Sequence, residues 1–344
     1  MKLPDAFYRC LLALLLTLAG SRSVTGGEYA ADFLYLGVGP PAAGMGGAWG
    51  TSAEGAESCY WNAAVDYRSP GGLMAEQALH FGGLSSWQAV FGKFPIGRST
   101  GVSAGLLYNH VADLLRYEAL APYRDLTQPD QRSDFTPLGS FDAASSTILV
   151  NVAHASDFAL VMKTGLLPTS LPSVIHYGLN LKFISETIDD SRGSALASDL
   201  GLRLVVNGPT INRVESKTRV ILILNIQNAF GGEQTWDTAA NTKEELHRNF
   251  RLGLAWETGM QGMLSGLRFA LERDTYGDDQ FHLGAQTEIY RTLILRLGGS
   301  GHSLNHLNPA FGTGFRFRNL QADYAFVLHP ELEATHRVSL SLSY

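Results

Sequence analysis

Cysteine is scarce in this sequence, and its scarcity excludes a fold held together by disulfides. The chain contains two cysteines, Cys10 and Cys59. Cys10 lies in an N-terminal apolar run that we expect to be cleaved, so the mature chain keeps Cys59 alone. A single cysteine cannot form an intramolecular disulfide, and we interpret Cys59 as a small packed residue.

Long hydrophobic runs and excess positive charge are also missing. No stretch after the N-terminal run supplies the roughly 20 consecutive apolar residues that a transmembrane helix needs. The formal net charge is -6, which gives no reason to expect a nucleic-acid partner. Charged residues make up only 17% of the chain, while the mean hydropathy is +0.00. A transmembrane β-barrel reconciles these two values, because only alternate residues of its strands face lipid.

Residues 1–26 are typical of a secretory signal peptide. Lys2 and Arg9 provide a positive start, and the apolar run that follows covers about ten residues, too few to span a bilayer as a helix. We therefore expect export and, together with the barrel pattern, a location in a bacterial outer membrane. The predicted organisation is a signal peptide over 1–26, an N-terminal hatch over 27–70 and an outer-membrane β-barrel over 71–344.

The C-terminal end shows the clearest strand pattern. Apolar side chains occupy the even positions and mostly small polar ones the odd positions, as in a strand with one face in lipid. The residues predicted to face lipid are Val338, Leu340, Leu342 and Tyr344. A terminal aromatic after such a strand looks like the signal that outer-membrane barrels present to the barrel-assembly machinery. We expect this strand to pair with the first one, near residues 71–81, and outer-membrane lipid to surround the barrel.

Apolar and polar residues alternate in about fourteen segments separated by turn residues. The predicted strands cover 71–81, 86–95, 99–109, 144–155, 173–186, 194–206, 217–227, 247–257, 264–273, 280–290, 292–300, 309–317, 319–328 and 335–344. A closed antiparallel bacterial barrel requires an even count. With a periplasmic N-terminus, the longest connections, 110–143 and 228–246, are extracellular. The connection 156–172 is predicted to be an unusually long periplasmic turn, unless residues 158–164 extend a strand.

Residues 33–70 lack the periodicity of strands. The stretch from Gly37 to Gly47 is small and turn-rich. The stretch from Ala48 to Ser58 is predicted to form a short helix with Glu54 and Glu57 exposed. A segment of this composition before the first strand is expected to plug the lumen from the periplasmic side.

Two motifs in this segment resemble a known family. They read Ala43-Gly44-Met45-Gly46-Gly47-Ala48 and Tyr60-Trp61-Asn62-Ala63-Ala64. Both are similar to the hatch signature of PorV/PorQ-type proteins, which are relatives of the FadL transporters of hydrophobic compounds. The family usually has proline where this chain has Ala63. The motif residues carried over are Gly44, Met45, Gly46, Gly47, Tyr60, Trp61 and Asn62.

The resemblance implies a fourteen-stranded outer-membrane barrel with an N-terminal hatch. PorV itself acts in type IX secretion, where it brings exported proteins to their attachment at the cell surface. The expected function is therefore a secretion-associated adaptor whose outer loops bind secretion-system proteins and exported cargo. One alternative is a FadL-like channel for a hydrophobic small-molecule ligand, and another is a purely structural barrel.

Two kinds of structural feature separate these functions. A continuous apolar cavity beside the hatch, or a kink in the third strand near Gly101 or Gly105, favours the channel. An exposed apolar patch on the outer loops favours a protein partner.

Charged residues recur on the strand face that points away from lipid. They are Asp199, Arg203, Arg251, Glu257, Arg268, Glu272, Glu288, Arg316 and Asp323. Burying charge requires pairing or water, so these residues form either a salt-bridge network that clamps the hatch or a polar transport path. Seven glycines share this face, which indicates either close approach of another backbone or tight barrel curvature. They are Gly178, Gly201, Gly253, Gly266, Gly284, Gly312 and Gly314.

No group of residues has the spacing of a catalytic or metal site. His302 and His306 have no cysteine or carboxylate at ligand spacing, and the acidic stretch 274–279 lacks the closing glutamate of a calcium loop. We therefore expect no enzyme activity, no metal and no cofactor. The aromatic residues of the hatch, such as Trp49, either line an apolar ligand site or anchor the plug.

Overall fold

The computed structural model describes residues 30–52, 54–117, 137–164, 167–208, 217–276, 280–303 and 306–344. The predicted signal peptide and part of the acidic stretch 274–279 lie outside these ranges. Within them, no helix is long and apolar enough to cross a membrane.

Sixteen strands account for most of the described chain. They are β1 (Gly72–His80), β2 (Ser85–Pro95), β3 (Thr100–Arg116), β4 (Gly139–Thr164), β5 (Leu167–Ile188), β6 (Ser191–Asn207), β7 (Thr218–Gln227), β8 (Glu233–Trp236), β9 (Lys243–Glu245), β10 (Asn249–Gly259), β11 (Leu264–Asp274), β12 (Gln280–Ile289), β13 (Leu293–Ser303), β14 (His306–Phe317), β15 (Leu320–Val327) and β16 (Thr335–Ser343). Fourteen of them form a closed antiparallel barrel, and β8 and β9 form a small hairpin attached to β6. The predicted fourteen-stranded barrel is confirmed.

The barrel closes between its first and last strands. β16 pairs with β1 along its length, with Leu340 opposite Ala75 and Leu342 opposite Leu73. β5 pairs with both β4 and β6, so the ring of fourteen strands has no gap. The predicted pairing of the C-terminal strand with the first strand is therefore confirmed. Closure satisfies the backbone hydrogen bonds of every strand, which a sheet immersed in lipid requires.

The outward face of the barrel is an apolar band. Large aliphatic and aromatic side chains alternate with luminal ones and are exposed around the ring; examples are Val90, Leu106, Ile148, Phe183, Leu254, Phe269, Leu297, Phe315 and Leu340. Val338, Leu342 and Tyr344 of the predicted C-terminal signal belong to this face and are also exposed. An apolar surface of this extent is unfavourable in water and is the one that a lipid-embedded barrel presents.

The two ends of the barrel differ in their connections. We call outer the end with the connections 117–138 and 228–248, and inner the end where Tyr290–Thr292 and Arg318–Asn319 form tight turns. Tyr290 and Arg318 have positive φ in these turns. The two longest connections thus lie at the same end, as expected of the extracellular side of an outer-membrane barrel.

Of the two interpretations of residues 156–172, the long inner turn is wrong and the extension of a strand over 158–164 is confirmed. β4 continues to Thr164 and β5 begins at Leu167, so the two strands pair without a break across this stretch. The first residue of β3, Thr100, pairs with His154 of β4. The part of β4 after His154 therefore has no β3 beside it, and the β4–β5 hairpin projects past the inner rim. Apolar and polar residues alternate only weakly in this stretch, because neither face of a projecting hairpin has a fixed lumen or bilayer beside it. At the outer end, β3 and β4 likewise shorten the predicted loop 110–143.

The residues before β1 lie inside the barrel. This luminal segment, residues 30–70, begins at the outer end, where Ala30 forms a parallel bridge with Leu246. It ends at the inner rim, where Arg68 pairs with Asp157 at 2.5 Å. Helical turns occur at Asp32–Tyr35, in α1 (Pro40–Gly44) and in α2 (Ser58–Trp61). The helix predicted over Ala48–Ser58 is wrong.

Candidate functional site in the lumen

The luminal segment packs against backbone rather than side chains at several points of the wall. A methyl group added to Gly178 would lie 2.0 Å from the carbonyl oxygen of Ala63, and one added to Gly312 would lie 3.0 Å from the Cα atom of Gly44. Gly201 and Gly284 likewise face residues of the segment. Four of the seven luminal glycines therefore provide room for a second backbone. The other three, Gly253, Gly266 and Gly314, face side chains of the wall.

A buried ion pair anchors the outer part of the segment. Arg337 of β16 and Glu76 of β1 lie 3.0 Å apart, and their side chains are 4% and 0% exposed. Arg337 also donates to the carbonyl oxygens of Leu36 and Gly37, while Glu76 accepts a 2.7 Å hydrogen bond from the Gly39 amide. The pair thus supplies hydrogen-bond partners to three backbone groups that have no partner in a helix or strand.

A second charged cluster holds the middle of the segment. Glu272 accepts hydrogen bonds from the amides of Gly50 and Thr51 at 3.1 and 2.8 Å. Arg251 lies between Glu272 and Asp274, at 3.3 and 2.5 Å, and donates to the Gly47 carbonyl at 3.0 Å. Its guanidinium also lies 4.9 Å from the ring centre of Trp61.

Three further charged residues of the predicted set surround Thr51. Arg203 donates to its carbonyl oxygen at 3.2 Å, and Arg268 donates to its hydroxyl at 2.6 Å. Glu257 pairs with Arg268 and with Arg219. Because each charge has a partner, the cluster can be buried without the large penalty of an isolated ion.

The remaining predicted charges are paired with other residues of the wall. Asp199 pairs with Lys182 at 2.7 Å, and Asp323 pairs with Arg296 at 2.7 Å, both within the wall. Arg316 lies 3.6 Å from Glu288, and its side chain is 40% exposed. This last pair faces the open inner end of the lumen.

Sequence reasoning missed a ladder of asparagines that holds the inner part of the segment. Asn151 donates to the Ala63 carbonyl at 2.9 Å, and Asn180 donates to the Cys59 carbonyl at 2.8 Å. Asn225 accepts from the Ala63 amide at 3.3 Å. Asparagine is depleted in strands. Its recurrence on the luminal face could therefore have indicated that these strands bind another polypeptide segment.

The motif residues of the segment bond mainly within it. The Tyr60 hydroxyl donates to the Leu34 carbonyl, and the Trp61 indole donates to the Val38 carbonyl at 2.9 Å. Asn62 accepts from the Ala64 amide at 2.9 Å. Met45 is fully buried, and Gly46, with φ of 63°, lies against the backbone of Gly299. Gly44 and Gly47 allow similarly close contacts with the wall.

Two of the cavities in the described lumen lie at its opposite ends. The inner cavity has a volume of about 550 Å³ and charged walls that include Arg219, Glu257 and Arg296. The outer cavity has a volume of about 340 Å³ and mixed walls that include Tyr60, His80 and Arg337. No described residue lines both cavities.

Glu57 is the buried carboxyl of the segment that lacks a cation partner among the described ion pairs. It accepts a hydrogen bond from the Trp49 indole at 3.3 Å. Burial raises the pKa of Glu57 above its ordinary value of 4.5, and the nearby carboxylate of Asp323 acts in the same direction. The prediction that Glu54 and Glu57 are exposed is confirmed for Glu54, whose side chain is 55% exposed. It is wrong for Glu57, whose side chain turns into the packed segment.

A carboxyl whose pKa is raised by folding stabilises the folded state most at low pH, and this contribution is lost as the pH rises through the raised value. Replacing Glu57 by glutamine is therefore expected to raise the urea midpoint at pH 8 and to have little effect below the ordinary pKa. Unfolding of both proteins in detergent across this pH range measures the difference. A difference that does not vary with pH would contradict the assignment.

The closed ring and its outward apolar band define an outer-membrane-type β-barrel, with a lumen occupied by its own N-terminal segment. No family model matches the chain, and no curated protein matches it. Solved structures that match include the toluene transporter TodX of P. putida, with 12% identity, a TM-score of 0.43, and coverage of 90% of this chain and 99% of TodX. Another is the outer membrane protein Omp33 of Acinetobacter baumannii, with 8% identity, a TM-score of 0.41, and coverage of 80% and 98%. These likenesses concern architecture alone, and we transfer no function from them.

Proposed function

We propose that the protein is a PorV/PorQ-type adaptor of type IX secretion, which binds exported proteins at the outer end of the barrel. The observation that supports this best is the anchoring of the luminal segment by buried pairs such as Arg337–Glu76 and Arg251–Glu272. A barrel filled in this way is suited to presenting a rigid surface. Such a barrel is poorly suited to passing a solute unless the luminal segment moves out of the lumen.

Two features that favour a channel are not found in the described residues. The pairing of β3 with β2 and β4 is regular through Gly101 and Gly105, so no kink opens the wall there. The two luminal cavities share no lining residue and are bordered by charged or mixed walls. The hydrophobic-compound transporter is therefore the weaker alternative.

Exposed apolar side chains at the outer end support a protein partner. Leu84, Phe230 and Leu332 are 64%, 75% and 50% exposed on three different outer connections. Apolar groups beyond the bilayer have no lipid to cover them, and binding to a protein partner would remove them from water.

A photo-crosslinking amino acid at Phe230, in a host with type IX secretion, tests the proposal. We expect crosslinks to exported proteins that carry the type IX C-terminal domain, since Phe230 lies at the outer end. The matched control is Tyr290, which is 69% exposed at the inner end and should give no such crosslinks. Equal crosslinking at both sites would contradict the proposal. Absence of crosslinks combined with toluene uptake by vesicles containing the purified barrel would favour the channel instead.

A further inference from the structure

The β4–β5 hairpin extends past its neighbouring strands on both sides at the inner end. The pairing of β4 with β3 stops at His154, which lies opposite Thr100. The pairing of β5 with β6 stops at Ser173, which lies opposite Val206. Among the described residues, the hairpin beyond these points therefore has two open edges. Open sheet edges do not occur within hydrocarbon, because lipid tails cannot satisfy their N–H and C=O groups, so this hairpin extends into the periplasm.

The β5 edge of the hairpin is protected by proline. Pro172 directs its carbonyl group away from β4, and the Asn207 side chain donates to that carbonyl at 3.2 Å. Every second residue of a strand turns its backbone groups to the same side, so Pro168, Ser170 and Pro172 all face this edge. Proline has no N–H, and two of these three residues therefore offer no donor. Proline on an edge strand is a common protection against pairing with another chain.

The β4 edge of the hairpin lacks this protection. The Ala155 amide donates to the Ser99 carbonyl at 2.9 Å, so this amide faces the side on which β3 lies. Asp157, Ala159 and Val161 turn their backbone groups to the same side, and each of them carries an N–H. These residues continue the ladder between β3 and β4 over the length of an ordinary strand.

Apolar side chains lie along the open β4 edge. Phe158, Leu160 and Val161 are 42%, 39% and 63% exposed. Phe158 and Leu160 lie on the face of the hairpin that continues the outward face of the barrel, and Val161 lies on the opposite face. A strand added at this edge would place its own side chains beside both groups, as cross-strand neighbours.

We propose that the β4 edge binds an extended segment of a periplasmic protein, which adds as a strand antiparallel to β4 and in line with β3. Backbone hydrogen bonds provide the affinity, and the apolar side chains along the edge favour a segment with apolar residues at alternate positions. A second copy of this chain is a less favourable occupant. Copies stand the same way up in a membrane, so their β4 edges would meet as parallel strands, which pair less stably. This interaction is independent of the binding proposed at the outer end.

Proline substitutions on the two edges test the proposal. Val161 lies opposite Ser170, and the amides of both point away from the ladder between β4 and β5. Val161→Pro removes a donor from the β4 edge, and its ring obstructs an added strand. The matched control is Ser170→Pro, which removes a donor from the β5 edge. Both variants should keep the heat-dependent gel shift of the folded barrel, since neither loses a hydrogen bond within the hairpin.

The readout is a photo-crosslinking amino acid at Phe158, in the full-length protein and in cells of the native host. We expect a crosslinked periplasmic protein in the wild-type background and in Ser170→Pro. The yield should be about tenfold lower in Val161→Pro, as for the loss of a hydrogen bond together with a steric obstruction. Equal yields in the two proline variants would overturn the proposal. An adduct with the mass of two barrels, or crosslinks to lipid alone, would also overturn it.

A second measurement uses the unmodified protein. Hydrogen exchange at the amides of Asp157, Ala159 and Val161 is expected to be about tenfold slower in outer membranes of the native host than in the purified barrel. The Ser170 amide, on the other edge, should exchange at the same rate in both samples. Slower exchange on both edges in membranes would show that the bilayer covers the hairpin, and the proposal would then be rejected.

Discussion

Replacing Arg337 by methionine is expected to destabilise the barrel by about 3–5 kcal/mol, the usual effect of removing one partner of a buried ion pair. Glu76 would lose its cation partner in a site where its side chain is 0% exposed. The carbonyl oxygens of Leu36 and Gly37 would also lose their donor. Urea unfolding in detergent, followed on gels by the heat-dependent shift of folded barrel, measures the change.

The control for this variant is Arg316→Met, which removes a pair that is 3.6 Å apart and partly exposed. Exposed pairs contribute roughly 0–1 kcal/mol, so this variant should resemble the wild type. The double variant Glu76→Met/Arg337→Met should recover much of the loss, because two apolar side chains replace the buried charges together. Equal midpoints for Arg337→Met and Arg316→Met would show that the pair does not anchor the segment.

The native thiol of Cys59 reports on the luminal segment separately from the barrel. Cys59 is fully buried in α2, beneath the asparagine ladder. A thiol in this position reacts with a maleimide only when the segment opens. If Arg337→Met lowers the local stability by about 3 kcal/mol, labelling should become about a hundredfold faster. Faster unfolding of the barrel with unchanged labelling would place the effect in the strands instead.

The strands could be predicted from sequence because the residues of each strand alternate with the lipid and the lumen on its two faces. Alternation in β16, for example, requires only that Val338, Leu340 and Leu342 face lipid while their neighbours do not. The pairing of β16 with β1 also followed, since a closed barrel leaves its first and last strands no other partner. Prediction weakened in β4 and β5, where the projecting hairpin has no lumen or bilayer to impose alternation.

The path of the luminal segment could not be predicted in the same way. Ala48–Ser58 contains Gly50 and Gly55, which lower its helix propensity. A helix would use the Thr51 carbonyl as an acceptor for the amide four residues on, but Arg203 of the wall binds this carbonyl instead. This partner lies far away in sequence, and propensity is a weak guide when tertiary contacts compete with it. The charges were recognised as luminal, but their partners were visible only in three dimensions.

Replacing Gly178 by alanine is expected to destabilise the protein by about 1–3 kcal/mol, the usual effect of overpacking. The added methyl group would lie 2.0 Å from the Ala63 carbonyl oxygen and 2.8 Å from the Ala153 side chain. Neither neighbour can turn away, since one is backbone and the other is a single carbon atom. The segment must therefore move off β5, and this movement weakens the Asn151 hydrogen bond to the same carbonyl.

Gly266→Ala is the matched control, because Gly266 also lies on the luminal face of a strand. Its added methyl group would meet only the Glu288 side chain, at 3.7 Å. Without a clash, alanine in a strand is more stable than glycine by roughly 0.5–1 kcal/mol, since it loses less backbone freedom on folding. The two substitutions should thus shift the urea midpoint in opposite directions, and only Gly178→Ala should accelerate labelling of Cys59. If both variants behave like Gly266→Ala, the segment does not lie against β5, and its role as a fixed plug must be rejected.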